Sequence, residues 1–304
     1  MTTDISVKVG TLTLESPVIP ASGVWPYAEE FWREPKLEGV GALCTKAISL
    51  DPRRGNRGVR IWETPSGILN SIGLQNIGAA EFVSHYSELV KNCPRPVIAN
   101  VVMERPNETQ ETLSIISDVE GIAAAELNIS CPNVDGEGMA WGMQCTSAAE
   151  AVRAVRSAWK GQLWVKMTPQ TPEPAEVARA IEAEGADAIV CANTWLGMAI
   201  DPYTCKPAFN RVTAGFSGPA VYPLALRLLW QVAEAVSIPV VGCGGVTTPF
   251  DCIGMIAAGA SAVEVGSAFF RDISAGKAIC DGLPEYIERY GAKSLTDLVG
   301  YARK

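Results

Sequence analysis

Ala125-Glu126-Leu127-Asn128-Ile129-Ser130-Cys131-Pro132-Asn133 is an apolar strand running into a polar corner. The apolar run begins at Ile122-Ala123-Ala124 and turns polar at Asn128, and Pro132 has no N–H with which to continue strand pairing. Cys131 is therefore expected just beyond a buried strand, in the kind of loop where an α/β barrel keeps its chemistry. The plain alternative is a small buried hydrophobe, as free cysteines usually are.

The same pattern recurs on both sides of this stretch. Apolar strands are expected at about 17, 41, 96, 124, 163, 188, 239 and 262, with helices between most of them near 79–91, 108–119, 148–159, 173–184, 222–235 and 249–258. Eight strands buried on both faces and alternating with helices predict a single (β/α)8 TIM barrel spanning 1–304, with a doubly wound sheet as the alternative. Loose alternation over 5–16 predicts a small N-terminal hairpin, and the Gly- and Pro-rich segments 50–78 and 202–218 predict loop insertions at the C-terminal mouth.

Composition narrows the function. The chain has 304 residues, 48% hydrophobic and 19% charged, which suits one large packed core. A formal net charge of -8 argues against nucleic-acid binding. Nine cysteines without a CxxC pair give no support for a zinc or iron-sulfur site in this chain, so no metal is expected. The opening Met1-Thr2-Thr3-Asp4 reads as neither leader nor anchor, and no apolar run reaches membrane-spanning length; a reduced, cytoplasmic setting without membrane insertion is the expectation.

The strand exits collect polar groups in chain order: Ser22, Lys46, Asn100, Asn128, Lys166, Asn193 with Thr194, Gly244-Gly245, and Gly266-Ser267. If the strands close into a barrel, these converge on one mouth. Glycine-bearing exits after the last two strands suit a phosphate cradle, or alternatively ordinary tight turns. Lys46 and Lys166 suit a developing negative charge, or alternatively an internal ion pair. The amide-rich Asn70-Ser71-Ile72-Gly73-Leu74-Gln75-Asn76 suits a small polar ligand, or a turn satisfying its own backbone. His85, the one histidine, falls in an expected helix away from these exits, which argues against His-based acid-base chemistry.

Several of these strings also resemble a known family. Ala21-Ser22-Gly23, Thr45-Lys46, the Asn70–Asn76 segment, Asn128-Ile129-Ser130-Cys131-Pro132-Asn133, Ser217-Gly218-Pro219-Ala220 and Gly242-Cys243-Gly244-Gly245 resemble dihydroorotate dehydrogenase, most closely the class 1B catalytic subunit. The resemblance implies an FMN-containing barrel that oxidises (S)-dihydroorotate to orotate in pyrimidine biosynthesis, with Cys131 as catalytic base. It implies substrate contacts at Lys46, Asn70, Ser71, Ile72, Gly73, Leu74, Asn128, Asn193 and Thr194. FMN contacts are implied at Ser22, Thr45, Lys46, Asn100, Asn128, Lys166, Ala192, Gly218, Gly244, Gly245, Gly266 and Ser267.

Class 1B resemblance further implies a homodimer core with an electron-transfer subunit that carries FAD and a [2Fe-2S] cluster, a heterotetramer passing electrons to NAD+. The chain departs from the family pattern at Val101-Val102-Met103-Glu104, at Tyr222 where a lysine is common, and at Trp141 and Met143. Two other readings stay open: an FMN oxidoreductase acting on a different dihydropyrimidine-like acid, and a non-catalytic ligand-binding barrel.

Overall fold

The computed structural model describes residues 3–130 and 141–304. A hairpin of β1 (Val7–Val9) and β2 (Leu12–Leu14) comes first, then β3 (Val18–Pro20) and β4 (Leu43–Cys44). β5 (Ile61–Thr64) and β6 (Gly67–Asn70) follow, then β7 (Val97–Val102), β8 (Ile122–Asn128), β9 (Gln162–Lys166) and β10 (Ala188–Cys191). After β11 (Trp195–Met198), β12 (Ile200–Asp201), β13 (Lys206–Pro207) and β14 (Thr213–Ser217), the chain completes the barrel with β15 (Val240–Cys243) and β16 (Ala260–Val265).

Eight parallel strands pair in the order β3-β16-β15-β10-β9-β8-β7-β4. The outer two are tied by Gly41 N–H donating to Val18 O at 2.8 Å, which brings the sheet round to near closure. Every residue of β7 is buried, as are the last five of β8, the signature of strands covered on both faces. The eight strands expected from the sequence are the eight that form the barrel.

Helices α1 (Ala79–Lys91), α2 (Pro106–Ile116), α3 (Cys145–Ala158), α4 (Pro174–Ala183), α5 (Tyr222–Ala235) and α6 (Pro249–Ala258) cover the outside. Their buried residues recur at helical spacing, as with Ala148, Ala151, Val152 and Val155 in α3. Proline at the first position starts α2, α4 and α6, where its missing N–H costs nothing. Two further helices, α7 (Ser267–Arg271) and α8 (Ala275–Arg289), follow the last barrel strand.

The hairpin and the insertions divide the barrel's two ends. Thr11 N–H, in the β1–β2 turn, donates to Gln162 Oε1 at the start of β9, so the hairpin sits at the N-terminal end. At the other end, the two loop-rich insertions pair with each other. β5 and β6 from the first join β14 from the second, and β11 just ahead of it, in an antiparallel sheet ordered β11-β14-β6-β5. Its own small core is Leu69, Phe209 and Ala214, with Trp62 and Phe216 packed against them.

Candidate active site

The C-terminal ends of the strands bring the asparagines together. Asn128, at the last position of β8, accepts from Ser130 N–H at 3.1 Å and from Ser130 Oγ at 2.5 Å. Asn193 Nδ2, beyond β10, donates to the same Ser130 Oγ at 2.6 Å, and its Oδ1 accepts from Thr194 N–H at 2.7 Å. Asn70 Nδ2 donates to Gly215 O at 3.2 Å, and a Cβ on Gly215 would run into Thr194 Oγ1. Asn70, Asn128, Asn193 and Thr194 thus meet across two sheets, with Ser130 linking the middle pair. Gln170 supports the group by donating to Thr194 O at 3.3 Å.

The rest of the Asn70 segment is wired to itself. Asn56 Nδ2 donates to the buried Ser71 Oγ at 2.9 Å, and Asn56 N–H donates to Ile72 O. Gly73 has φ +73° and lies so close to Asn56 that a Cβ would come within 2.7 Å of its backbone nitrogen; Leu74 is also left-handed at φ 55°. Asn76 bonds Ser49, Leu74 and Gly78. The segment is a rigid support that presents Asn70.

Lys46 differs from its neighbours. Its backbone N–H donates to Tyr27 Oη at 3.1 Å, but its ammonium has no hydrogen bond or ion pair among the described residues. Half-buried, it is held below the ordinary lysine value by burial first and by the Arg60 guanidinium second. Thr45 Oγ1, one residue earlier, accepts from Asn100 N–H at 3.0 Å. A Cβ placed on Gly23 would meet nothing nearer than Lys46 Nζ at 3.8 Å, and one on Gly266 nothing nearer than Ala21 Cβ at 3.9 Å. At both exits a Cβ would make only ordinary van der Waals contact, at Gly23 with the Lys46 ammonium itself. Half-buried Ser22 and Ser267 lie on the same two exits.

At the other glycines the neighbours are protein. A Cβ on Gly244 would lie 2.8 Å from Ala225 Cβ, and one on Gly245 2.6 Å from Tyr222 Cα, so both glycines admit the start of α5. Gly218, at φ +114°, lets the turn after β14 cross Gly67 with a Cβ distance of only 2.5 Å. Ala192 N–H donates to Cys243 O at 3.1 Å, joining the exits of β10 and β15.

Below the mouth, Lys166 is buried and paired. Its Nζ bonds Glu264 and lies 3.5 Å from Glu126 Oε1, and Asn100 Nδ2 also bonds Glu126. Glu126 precedes Asn128 by two residues on β8, so the two side chains share the inward face. Cys44, Glu126 and Glu264 are grouped closely enough to ligate a metal ion, yet Lys166 already supplies their cation. Cys131 lies outside the described residues.

Comparison with known proteins gives the lineage. The family model described as "Dihydroorotate dehydrogenase" matches residues 4–287. A protein named dihydroorotate dehydrogenase B (NAD(+)), catalytic subunit, from Bacteroides fragilis is 44% identical over 297 residues, covering 98% of each chain. The chain belongs to the dihydroorotate dehydrogenase family. Family members with the same name from Porphyromonas gingivalis and Trichlorobacter lovleyi are each 43% identical, over 298 and 296 residues, and this chain covers 97% of each. The crystal structure of a DHODH from Eimeria tenella in complex with ferulenol has a TM-score of 0.83 at 20% identity, covering 99% of this chain and 89% of that one. At that identity the likeness is one of fold.

Against the family pattern, the departures seen in the sequence have local reasons. Glu104 bonds Arg53 and accepts from Leu50 N–H at 3.1 Å, fastening the insertion after β4 to the end of β7. Tyr222 Oη donates to Asp251 O at 2.9 Å, spanning from α5 to α6. Trp141 packs against the main core, and Met143 O accepts from Thr171 Oγ1 at 3.1 Å. Sequence reading passed over Glu126, Glu264, Ser130, Arg60 and Tyr27. The signal for the first two was present: a carboxylate in the middle of an apolar strand buried on both faces has to find a partner inside.

Proposed function

We propose that the chain is the catalytic subunit of an FMN-dependent, NAD+-linked dihydroorotate dehydrogenase, oxidising (S)-dihydroorotate to orotate in pyrimidine biosynthesis. The observation that carries the reading is the half-buried Lys46 ammonium, without a protein anion among the described residues, at the same barrel mouth on which four polar side chains converge. An anionic ligand completes such a site; a scaffold has no use for the cost of holding a cation there unpaired.

The mouth fits FMN. Gly23 and Gly266 keep side chains off the two exits beside Lys46, and Asn100 Oδ1 is buried without a donor among the described residues. Ser22, Thr45, Lys46, Asn100, Asn128, Lys166, Ala192, Gly218, Gly244, Gly245, Gly266 and Ser267 are the residues that would hold it. FMN, when bound, supplies the acceptor for the two electrons of the oxidation.

The chain's own residues do the rest. Asn70, Asn128, Asn193 and Thr194 offer amide and hydroxyl groups of both senses to the ring N–H and C=O groups of the substrate, and Lys46 offers its charge to the carboxylate. Ser71 through Leu74 keep Asn70 in place. Cys131, which follows Ser130 directly in sequence, is the base that takes the proton from C5, leaving the electron pair for the new C5–C6 double bond. Binding through Lys46 and the asparagines orients C5 toward that base.

For the assembly, the words NAD(+) and catalytic subunit in the names of the bacterial relatives support an NAD+-linked complex with a partner subunit; FAD and a [2Fe-2S] cluster on that partner, around a homodimer of this one-domain chain, complete the proposal. Exposed Ile61, Leu196 and Met198 on the sheet at the mouth give partners an apolar rim. No helix of the described residues is long and apolar enough to cross a membrane.

The test is anaerobic absorbance of the purified yellow protein during titration with dihydroorotate. Bleaching of the flavin band is the expected result. A bound flavin that stays oxidised would sink the substrate assignment and favour a different dihydropyrimidine-like acid.

A further inference from the structure

The barrel axis below the mouth holds charge where such barrels ordinarily pack branched apolar side chains. Glu126 and Glu264 are completely buried, and Lys166 Nζ pairs with both. Two carboxylates against one ammonium leave a net negative charge in a space closed to water, an arrangement of high electrostatic cost.

Hydrogen bonding shows the same deficit. One oxygen of Glu126 is taken by Asn100 and one of Glu264 by Lys166, but Glu126 Oε2 and Glu264 Oε1 have no donor among the described residues. A carboxylate oxygen of each, with Cys44 Sγ, lies within 4.8 Å of the others. One proton would remove both deficits, cancelling the excess charge and giving one carboxyl an O–H to donate.

We propose that Glu126 and Glu264 hold a single proton between them, and that this one-proton pair keeps Lys166 charged and in position beneath the mouth. The surroundings agree. Burial, reinforced by the Glu126 carboxylate, holds Glu264 well above the ordinary carboxylate range. Burial works in the same direction on Glu126, but Lys166 and Asn100 outweigh it and Glu126 stays ionised.

For Lys166 burial opposes the charge, and the two carboxylates override it. The other titratable groups facing the pair are Cys44 of β4 and Cys243 of β15. Burial above all raises both thiols, Cys243 to about 12, so neither adds an anion near neutral pH.

Only the catalytic consequence rests on the flavin reading; the shared proton is a property of the apoprotein, and two measurements on flavin-free protein test it. Infrared spectra at pH 7 are expected to show the C=O stretch of a buried protonated carboxyl in the wild type. Glu264→Gln removes that band by removing the group. Glu126→Gln also removes it, because Glu264 then faces Lys166 alone and ionises.

Unfolding against pH gives the second readout. Above the ordinary carboxylate range the native state carries a proton on the pair that the unfolded state has lost. Wild-type stability therefore falls as pH rises, relative to Glu264→Gln, by about tenfold in the unfolding constant per pH unit. Parallel pH curves, or a wild type without the band, would overturn the proposal. Should Glu264→Gln not fold, the band in wild type and its loss in Glu126→Gln decide the matter.

In the flavin-loaded enzyme, the alkaline limb of kcat that reports loss of this proton disappears in Glu264→Gln; an unchanged limb would remove the positioning role. Failure of dihydroorotate to bleach the flavin leaves the first two measurements untouched.

Discussion

Lys46 and Lys166 both stand at strand ends of one barrel, and their surroundings are opposite. Lys166 is enclosed with two carboxylates and an asparagine, so its charge is balanced by the protein before any ligand arrives. Lys46 has no anionic partner among the described residues and Arg60 as its charged neighbour, and burial together with that guanidinium disfavours the very charge it carries. A buried cation that the fold has already paired contributes to structure, and a half-buried cation left unpaired is free to bind a ligand. The inner layer and the rim therefore answer to different measurements.

The largest effect is expected on the inner layer. Lys166→Met leaves Glu126 and Glu264 buried without their cation, and breaking a buried ion pair in this way costs about 3–5 kcal/mol. Urea unfolding checks it. The loss should shrink as pH is lowered, since taking up protons on the two carboxyls removes the stranded charge. A stability change below about 1 kcal/mol would erase the distinction between the two lysines.

Lys46→Met should do the reverse. With no ammonium partner to orphan, the fold should lose no more than about 0.5 kcal/mol. Turnover of dihydroorotate should drop about a hundredfold to a thousandfold, the usual cost of removing one electrostatic donor at a reacting centre. The pH dependence sharpens the point. Because Lys46 is held below the ordinary lysine value of 10.5, affinity for the anionic substrate is present below its lowered pKa. It is lost as pH rises through that value, so KM should climb earlier than an ordinary lysine allows, and a KM flat to pH 10.5 would contradict this.

The same contrast explains what the sequence could reveal. Asn128, Lys46, Asn193 and Thr194 were legible because each follows an apolar strand, and strand ends in a barrel converge whatever lies between them. The β11-β14-β6-β5 sheet was not. Its strands come from segments over a hundred residues apart, glycine-rich and without clean alternation, so nothing local fixed their register. Glu126 and Glu264 signalled that each needs a partner inside, but not where that partner lies. An apolar strand covered on both faces shows no periodicity, so a single carboxylate within it does not announce whether it points to the axis or outward. Its partner Lys166 stands 40 residues from one and 98 from the other, a pairing that only closure of the barrel creates.

The glycines after β15 test the rim at its gentlest. Gly244 and Gly245 were readable as a phosphate cradle, and the structure adds that α5 needs both positions bare, with Tyr222 closing over Gly245 and reaching the Asp251 carbonyl at 2.9 Å. Tyr222→Phe keeps the ring and removes only that bond, so a loss of about 0.5–1.5 kcal/mol in thermal or urea stability is expected. FMN affinity should stay within about twofold, because a change confined to the helix contact leaves the backbone N–H groups of the turn where they were. A stability loss in that range with FMN retained would assign these glycines to packing first. FMN released with little change in stability would instead mean that Tyr222 holds the turn in shape for the ligand, and the rim would then be as tightly organised as the layer beneath it.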